Sequence, residues 1–130
     1  MKNNVTNIAP ASASRAREHF ESFFEFETDC WDVHDAFERE VVDFVLVDVR
    51  GSAAYQRGHL PGAISLPRSL IDKATLGEFP EDSIFIVYCA GPHCNGAQRA
   101  GKRLATLGWP VKMMIGGVTG WLDEGFDLTS

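Results

Sequence analysis

Two cysteines and a histidine, the residues of this chain best suited to nucleophilic chemistry, lie close together in its second half. The segment that holds them reads Cys89, Ala90, Gly91, Pro92, His93, Cys94, Asn95. The thiolate form of cysteine is the nucleophile, and it is favoured where backbone N–H groups and the positive end of a helix dipole surround the sulfur. The chemistry of Cys89 therefore depends on the elements that flank it.

The flanking residues predict a strand before this segment and a helix after it. Residues 84–88 form an apolar run rich in β-branched and aromatic residues, typical of a buried strand, with Cys89 at its last position. Gly91 and Pro92 interrupt regular structure. Apolar residues then recur at helical spacing over residues 97–107, with Asn95 as the expected N-cap. Such a loop presents amides to Cys89 and can hold an anion such as a persulfide sulfur.

Each cysteine also has a structural interpretation. Cysteine is among the most buried residue types and often packs as a small hydrophobe. The composition of the loop favours a reactive Cys89 over that interpretation. For Cys94 two interpretations stay open: a resolving thiol that attacks a persulfide or sulfenate on Cys89, or a packing residue at the helix entrance. Cys30 is interpreted as structural, because nothing near it in sequence would lower its thiol pKa.

Length and charge limit the classes of protein that the chain can represent. With 130 residues and a net charge of −6, it suits one domain and lacks the positive charge of proteins that bind nucleic acid or anionic membranes. No apolar run is long enough to span a bilayer, and the N-terminus lacks the apolar region of a signal peptide. Three cysteines suit a reducing compartment, so we expect a cytoplasmic protein.

Strand and helix signals alternate along the chain. We expect an N-terminal arm and helix over residues 1–23 and a folded domain over residues 24–130. The alternation predicts an α/β domain with a central, mostly parallel sheet and helices on both faces. Besides the central unit, strands are predicted at 24–28, 44–50 and 111–115, and helices at 15–23, 33–40, 68–76 and after Gly116.

The ends of these strands predict where a site would form. In parallel α/β sheets the ligand site lies beyond the carboxyl ends of the strands. Asp48 with Arg50, the loop that starts at Cys89, and Gly116 with Gly117 each follow a predicted strand. We therefore expect these three segments to converge, with Asp48 and Arg50 paired as ions at a strand end.

Taken together, these residues resemble those of the rhodanese-like family. Four motifs in order carry the resemblance, from about residue 24 to the C-terminus. They are Asp48-Val49-Arg50; Tyr55 with Gly58-His59-Leu60-Pro61-Gly62-Ala63; Tyr88-Cys89 before the loop; and Gly116-Gly117-Val118 with Trp121 and Gly125. The Cys89-x-Gly91-Pro92-x-Cys94-Asn95 form resembles a subgroup of that family.

The resemblance implies a three-layer rhodanese fold and a sulfurtransferase. Cys89 would accept sulfane sulfur from a small donor, such as thiosulfate or a persulfide, and pass it to cyanide, a thiol or a protein acceptor. No cofactor or metal is expected, and neither nucleic acid nor a membrane as partner. Residues 90–95 would bind the substrate, and Asp48, Arg50 and Arg99 would support the site.

Two departures from the family's patterns leave alternatives open. The loop contains no Arg or Lys, and His93 is its one possible cation, so thiosulfate as the donor is an open question. Phosphatases of related fold need an arginine where Asn95 stands, which makes phosphatase activity an unfavoured interpretation. The alternative to an enzyme is a persulfide-carrying or redox-sensing module that uses Cys89 and Cys94 with little turnover.

Overall fold

A parallel sheet lies at the centre of the computed structural model, which describes residues 3–130. Within those residues it has five strands: β1 (Glu27–Thr28), β2 (Val45–Asp48), β3 (Ile64–Ser65), β4 (Phe85–Tyr88) and β5 (Val111–Met114). Their order is β1-β5-β4-β2-β3, and every pair is parallel. Because β4 is the central strand, Cys89 leaves the sheet at its middle.

Helices connect the strands and cover the sheet. They are α1 (Ala13–Phe26), α2 (Cys30–Glu38), α3 (Ser52–Arg57), α4 (Lys73–Leu76), α5 (Gly96–Thr106) and α6 (Gly117–Asp123), with a 3-10 helix at Arg68–Leu70. Within the part of the chain that the structure describes, no helix combines the length and apolar character needed to cross a bilayer.

Each face of the sheet has its own apolar core, because alternate strand residues point to opposite sides. One core lies between the sheet and α5 and includes Val47, Phe85, Val87, Ala100 and Leu104. The other lies between the sheet and α2 and α6 and includes Val33, Leu46, Ile86, Tyr88 and Trp121. The predicted α/β fold, with a parallel sheet between helices, is confirmed.

The largest difference from the predicted elements lies near the N-terminus. Helix α1 extends beyond the predicted 15–23 at both ends, and the strand predicted at 24–28 is reduced to β1. The Ser12 side chain caps α1, and Phe24 and Phe26 stay 72% and 65% exposed, so no burial selects an extended conformation for them. The division of the chain between residues 23 and 24 stays a prediction. Residues 1 and 2 of the predicted arm lie outside the described residues.

The predicted helix at 68–76 is divided into two short pieces. Asp72 adopts an extended conformation, and its side chain accepts a hydrogen bond from the Thr75 N–H, while the Thr75 hydroxyl accepts one from the Asp72 N–H. This capping box starts α4 anew and ends the 3-10 turn before it. The apolar spacing of Leu70, Ile71 and Leu76 is compatible with one helix, and the local hydrogen bonds of Asp72 override it.

A buried ion pair joins the carboxyl ends of β2 and β4. Asp48 is fully buried, and its Oδ2 accepts hydrogen bonds from Arg50 Nη2 at 2.7 Å and from the Tyr88 hydroxyl at 2.8 Å. Arg50 also donates to the Gly58 carbonyl, and the Leu60 N–H donates to the Tyr88 oxygen. Burial and then the Asp48 charge raise the pKa of Tyr88, so its hydroxyl keeps the proton that it donates. This network fixes the residue that precedes Cys89.

Replacing Arg50 with alanine should lower the free energy of unfolding by about 3–5 kcal/mol, because the buried Asp48 carboxylate loses its counter-ion. Arg39→Ala is the matched control, since Arg39 lies 3.6 Å from Asp35 with 71% of its side chain exposed. That change should cost about 0–1 kcal/mol. Urea titrations of both variants beside the wild type measure the two losses. Equal losses would show that the buried pair does not stabilise the strand ends.

Candidate active site

The loop between β4 and α5 brings its two cysteines together. Strand β4 ends at Tyr88, Cys89 follows it, and the Cys89 and Cys94 sulfur atoms face each other as a disulfide pair. Their Cα atoms are 6.5 Å apart, within the range of roughly 4.4–6.8 Å for disulfides. Cys89 is only 7% exposed. The direction of the Cys94 side chain, which the sequence leaves open, is therefore inward.

The start of α6 holds the first two carbonyl groups of the loop. The Val118 N–H donates to the Cys89 carbonyl at 3.1 Å, and the Thr119 N–H donates to the Ala90 carbonyl at 2.9 Å. The Thr119 hydroxyl donates to the same Ala90 oxygen at 3.2 Å. Because C=O and N–H point in opposite directions in a planar trans peptide, the Ala90 and Gly91 N–H groups point away from α6. Neither donates to a protein acceptor among residues 3–130, so both remain available to an anion.

Two glycines allow the close contacts around Cys89. A Cβ atom on Gly117 would lie 2.5 Å from the Cys89 carbonyl oxygen, and the φ of Gly117 is +58°. A Cβ atom on Gly96, the first residue of α5, would lie 2.8 Å from Cys89 Sγ and 3.3 Å from Cys94 Sγ. The predicted convergence of Gly116 and Gly117 with the loop is observed. The roles of Gly96 and Thr119 were not predicted, since a distance between segments has no local sequence signal.

The end of the loop differs in detail from the prediction. Asn95 stands at the N-cap of α5, but its side chain makes no capping hydrogen bond. Its φ of −95° and ψ of 13° depart from the extended conformation of a typical N-cap residue. Instead, Asn95 Oδ1 accepts a hydrogen bond from Arg99 Nε at 3.2 Å. Arg99 therefore adjoins the loop from the outer face of α5.

The other candidate side chains differ in how free they are to meet a ligand. Arg50 is occupied by Asp48 and the Gly58 carbonyl, and 14% of its side chain is exposed. Pro92 and His93 are exposed at the tip of the loop. Across residues 3–130, no three His, Cys, Asp or Glu side chains converge as metal ligands would. The electrostatics beside Cys89 therefore rest on backbone amides more than on side-chain cations.

The cavity at the cysteine pair is small. It has a volume of about 40 Å³ and is bordered by Cys89, Cys94, Gly91, Gln98, Met113 and Gly117. One water molecule takes up roughly 30 Å³ of the liquid, so this cavity has room for about one sulfur atom. A depression of about 300 Å³ bordered by Phe44 and Ile84 lies at the opposite, amino-terminal ends of β2 and β4. It plays no part in the chemistry of Cys89.

Cys30, the third cysteine, contacts the start of α6 in the core on the α2 and α6 face of the sheet. It is the first residue of α2, and it is 5% exposed. Its thiol donates to the Ile115 carbonyl at 3.5 Å and to the Gly117 carbonyl at 3.6 Å. Burial, with the Asp29 charge adding to it, raises the pKa of Cys30 to about 11. The thiol is therefore protonated at neutral pH and a poor nucleophile.

Comparison with known proteins gives a family match and related chains. The family model described as Rhodanese-like domain matches residues 32–124. The HTH-type transcriptional regulator Rv0324 of Mycobacterium tuberculosis is 37% identical over an alignment 94 residues long, and this alignment covers 67% of this chain and 41% of the regulator. The chain thus spans about two fifths of the length of this curated relative.

Solved structures share the fold. The BH2092 protein from Bacillus halodurans superposes with a TM-score of 0.87 at 34% identity, covering 90% of this chain and 85% of that one. The Rhodanese-like domain of the Alr3790 protein from Anabaena sp. superposes with a TM-score of 0.72 at 23% identity, covering 80% of this chain and 78% of that one. The second likeness concerns the fold alone.

Gly96→Ala should slow closure of the Cys89–Cys94 disulfide in the reduced protein, because the added methyl group displaces the Cys89 sulfur. We expect a loss of about tenfold, since moving a side chain off its rotamer costs up to roughly 1.5 kcal/mol. Closure is followed by mass spectrometry of alkylated samples taken over time.

Gly101→Ala in the same helix is the control for this experiment. Nothing lies within 4 Å of a Cβ atom built on Gly101. This variant should close its disulfide at the wild-type rate and gain about 0.5–1 kcal/mol of helix stability. Equal closure rates in the two variants would contradict the close approach of Gly96 to Cys89.

Proposed function

The chain belongs to the rhodanese-like domain family, and from this premise we propose that it is a sulfurtransferase whose nucleophile is Cys89. The observation that carries the proposal is the position of this cysteine. It follows the central strand, and the loop that it opens leaves the Ala90 and Gly91 N–H groups without acceptors among residues 3–130. Such donors stabilise a thiolate or the negative outer sulfur of a persulfide.

The proposed cycle has two transfer steps and no net oxidation. The Cys89 thiolate attacks the outer sulfur of the donor, the donor's S–S bond breaks, and the rest of the donor leaves with the electron pair. The outer sulfur of the resulting Cys89 persulfide is then attacked by a cyanide or thiolate acceptor, and the Cys89 thiolate is released. The paired form must first be reduced to two thiols by a two-electron thiol reductant.

The charge of the site favours some donors over others. Thiosulfate carries two negative charges, whereas an ionised persulfide carries one. Residues 90–95 include no Arg or Lys, and Arg50 is bound to Asp48. The groups that can bind the donor are then the backbone amides and Arg99. They suit the single negative charge of a persulfide better than the two charges of thiosulfate. We therefore propose a persulfide as the better donor.

The setting of the reaction follows from the same residues. The cycle needs no metal or cofactor, since sulfur itself carries the reaction. A disulfide between Cys89 and Cys94 would block the nucleophile, so the enzyme needs a reducing compartment such as the cytoplasm. The net charge of −6 argues against nucleic acid or an anionic membrane as partner.

A second function is favoured by the inward position of Cys94. Its thiolate can attack the inner sulfur of a Cys89 persulfide, forming the Cys89–Cys94 disulfide and expelling hydrosulfide. The chain would then report a sulfur donor or oxidant with little turnover, until a thiol reductant restores both thiols. The likeness to a transcriptional regulator supports a sensing role of this kind.

The enzyme proposal predicts that Cys89→Ser abolishes sulfur transfer while the fold survives, because a serine hydroxyl cannot form a persulfide. Transfer from a persulfide donor to cyanide measures the activity, and circular dichroism checks the fold. Arg39→Ala is the control and should keep the wild-type rate, since Arg39 follows α2 with 71% of its side chain exposed. Activity above background in Cys89→Ser would show that the nucleophile is another residue.

Cys94→Ala separates the two candidate functions. If the chain is a transferase, this variant should retain most of its sulfur transfer, and its Cys89 persulfide should live longer, because no internal thiol remains to expel hydrosulfide. Mass spectrometry after donor treatment follows the added sulfur with time. A folded Cys94→Ala that is as inactive as Cys89→Ser would place Cys94 in the catalytic cycle.

A further inference from the structure

A cationic groove runs along the outer face of α5, next to the loop. It has a volume of about 700 Å³ and is lined by Arg68, Asn95, Gln98, Arg99, Lys102 and Arg103, among others. These four cations are a third of the 12 Lys and Arg residues in a chain that also has 18 Asp and Glu residues. Of the residues that the structure describes, none with a carboxylate side chain lines the groove. A concentration of one sign of charge on an acidic protein calls for a functional reason.

No salt bridge within residues 3–130 neutralises the four cations, although the charge of Arg103 adds to the hydrogen bonds from Thr75 in lowering the pKa of Asp72. Among the ion pairs of residues 3–130, none involves Arg68, Arg99, Lys102 or Arg103. Arg99 uses its Nε for Asn95, and Arg103 uses its Nε for the Ile71 carbonyl at 3.1 Å. The terminal guanidinium nitrogens of both arginines make no hydrogen bond within the described chain. They remain free to bind carboxylates.

The groove is continuous with the site of Cys89. Gln98 lines both the groove and the 40 Å³ cavity at the cysteine pair, and Asn95 is the residue that joins the loop to α5. Because that cavity admits about one sulfur atom, the body of any molecule that exchanges sulfur with Cys89 must lie outside it. Two depressions adjoin the cavity: one shares Ala97, Gln98 and Met113 with it, and the cationic groove shares Gln98. The first is also lined by Glu27, so the groove is the surface better suited to an anionic molecule.

We propose that this groove binds an acidic segment of a partner protein, whose cysteine exchanges sulfur with Cys89; this rests on the proposed function. The lining residues Arg68, Gln98, Lys102 and Arg103 are exposed, so the groove cannot enclose a small ligand as binding pockets do. Cations spread over a 3-10 helix and α5 suit an extended chain with several carboxylates. The net charge of −6 disfavours a nucleic acid in the same place.

Sulfur exchange in this complex follows the cycle proposed above. The partner's cysteine thiolate attacks the outer sulfur of the Cys89 persulfide, the S–S bond to Cys89 breaks, and Cys89 leaves as a thiolate. The partner then carries the persulfide. The groove takes no part in bond making; it raises the local concentration of the partner's thiol and fixes its approach.

Binding is tested without sulfur chemistry, so that it can fail independently of the transferase proposal. The probe is a short fluorescent peptide rich in Asp and Glu, with serine at the cysteine position, titrated into Cys89→Ser protein by anisotropy. Raising NaCl from about 50 to about 300 mM should raise Kd about tenfold, because the Debye length shortens. Arg68→Glu combined with Lys102→Glu should raise Kd by about tenfold or more.

The control keeps the net charge of that double variant. Arg17→Glu combined with Arg39→Glu reverses two cations on α1 and α2 that are 78% and 71% exposed. Kd should change less than about twofold, because neither arginine lines the groove and salt screens exposed charges apart from it. In the active protein, transfer to the cysteine form of the acidic peptide should exceed transfer to a Ser/Gly-rich peptide. The Arg68/Lys102 variant should lose that preference.

Several results would overturn the proposal. Salt-independent or absent binding of the acidic peptide would do so, as would equal losses in the two double variants. Displacement of the peptide by sulfate at constant ionic strength would indicate a small-anion site instead. Tighter binding of a single-stranded oligonucleotide, weakened by the same two substitutions, would indicate nucleic acid. If the peptide binds as expected but no variant of the acceptor receives sulfur, the transferase proposal fails and the groove stands.

Discussion

The backbone contact between the Cys89 loop and the start of α6 is the constraint on which the site depends. The Val118 and Thr119 N–H groups donate hydrogen bonds to the Cys89 and Ala90 carbonyls. This contact requires glycine at position 117, because a Cβ atom there would overlap the Cys89 oxygen. Since a peptide plane cannot present both groups on one side, binding the carbonyls there turns the N–H groups the other way. The hydrogen bonds from α6 to the loop carbonyls therefore also fix the direction of the Ala90 and Gly91 N–H groups. The Cys30 thiol also supports the start of α6, because it donates a hydrogen bond to the Gly117 carbonyl.

The sequence predicted the sheet better than the site, for a physical reason. Runs such as residues 84–88 are apolar throughout because helices cover both faces of the sheet, and that pattern is local. The error at residues 24–28 arose where Phe24 and Phe26 stay exposed, so alternation carried no information about burial. At the site, the apolar run of residues 84–88 was enough to predict that Cys89 lies at the end of a strand. The inward turn of Cys94 and the approach of Gly96 were not, because both are distances across the fold that no spacing encodes.

Charge is divided between structure and recognition in this molecule. Arg50 neutralises Asp48, as the sequence predicts, and Asp48 in turn holds Tyr88, the last residue of β4. Its charge is needed there, since a fully buried carboxylate without a counter-ion is costly. The loop is left to bind anions with amide dipoles, which act over short range. The cations of the groove lie on α5 and the 3-10 helix, and in the proposed complex they would act on the body of the partner more than on its sulfur.

Enzyme and sensor then differ in kinetics more than in architecture. A Cys89 persulfide faces two competing thiols, an external acceptor and Cys94. Attack by Cys94 is intramolecular and independent of acceptor concentration, whereas transfer outward rises with the concentration of acceptor near the loop. A free thiol at low concentration would lose this competition, and the disulfide with release of hydrosulfide would result. An acceptor held on the cationic groove has a high effective concentration and would win it. If both proposals hold, the choice between passing sulfur on and expelling it would be made at the surface of α5, outside the cavity beside Cys89.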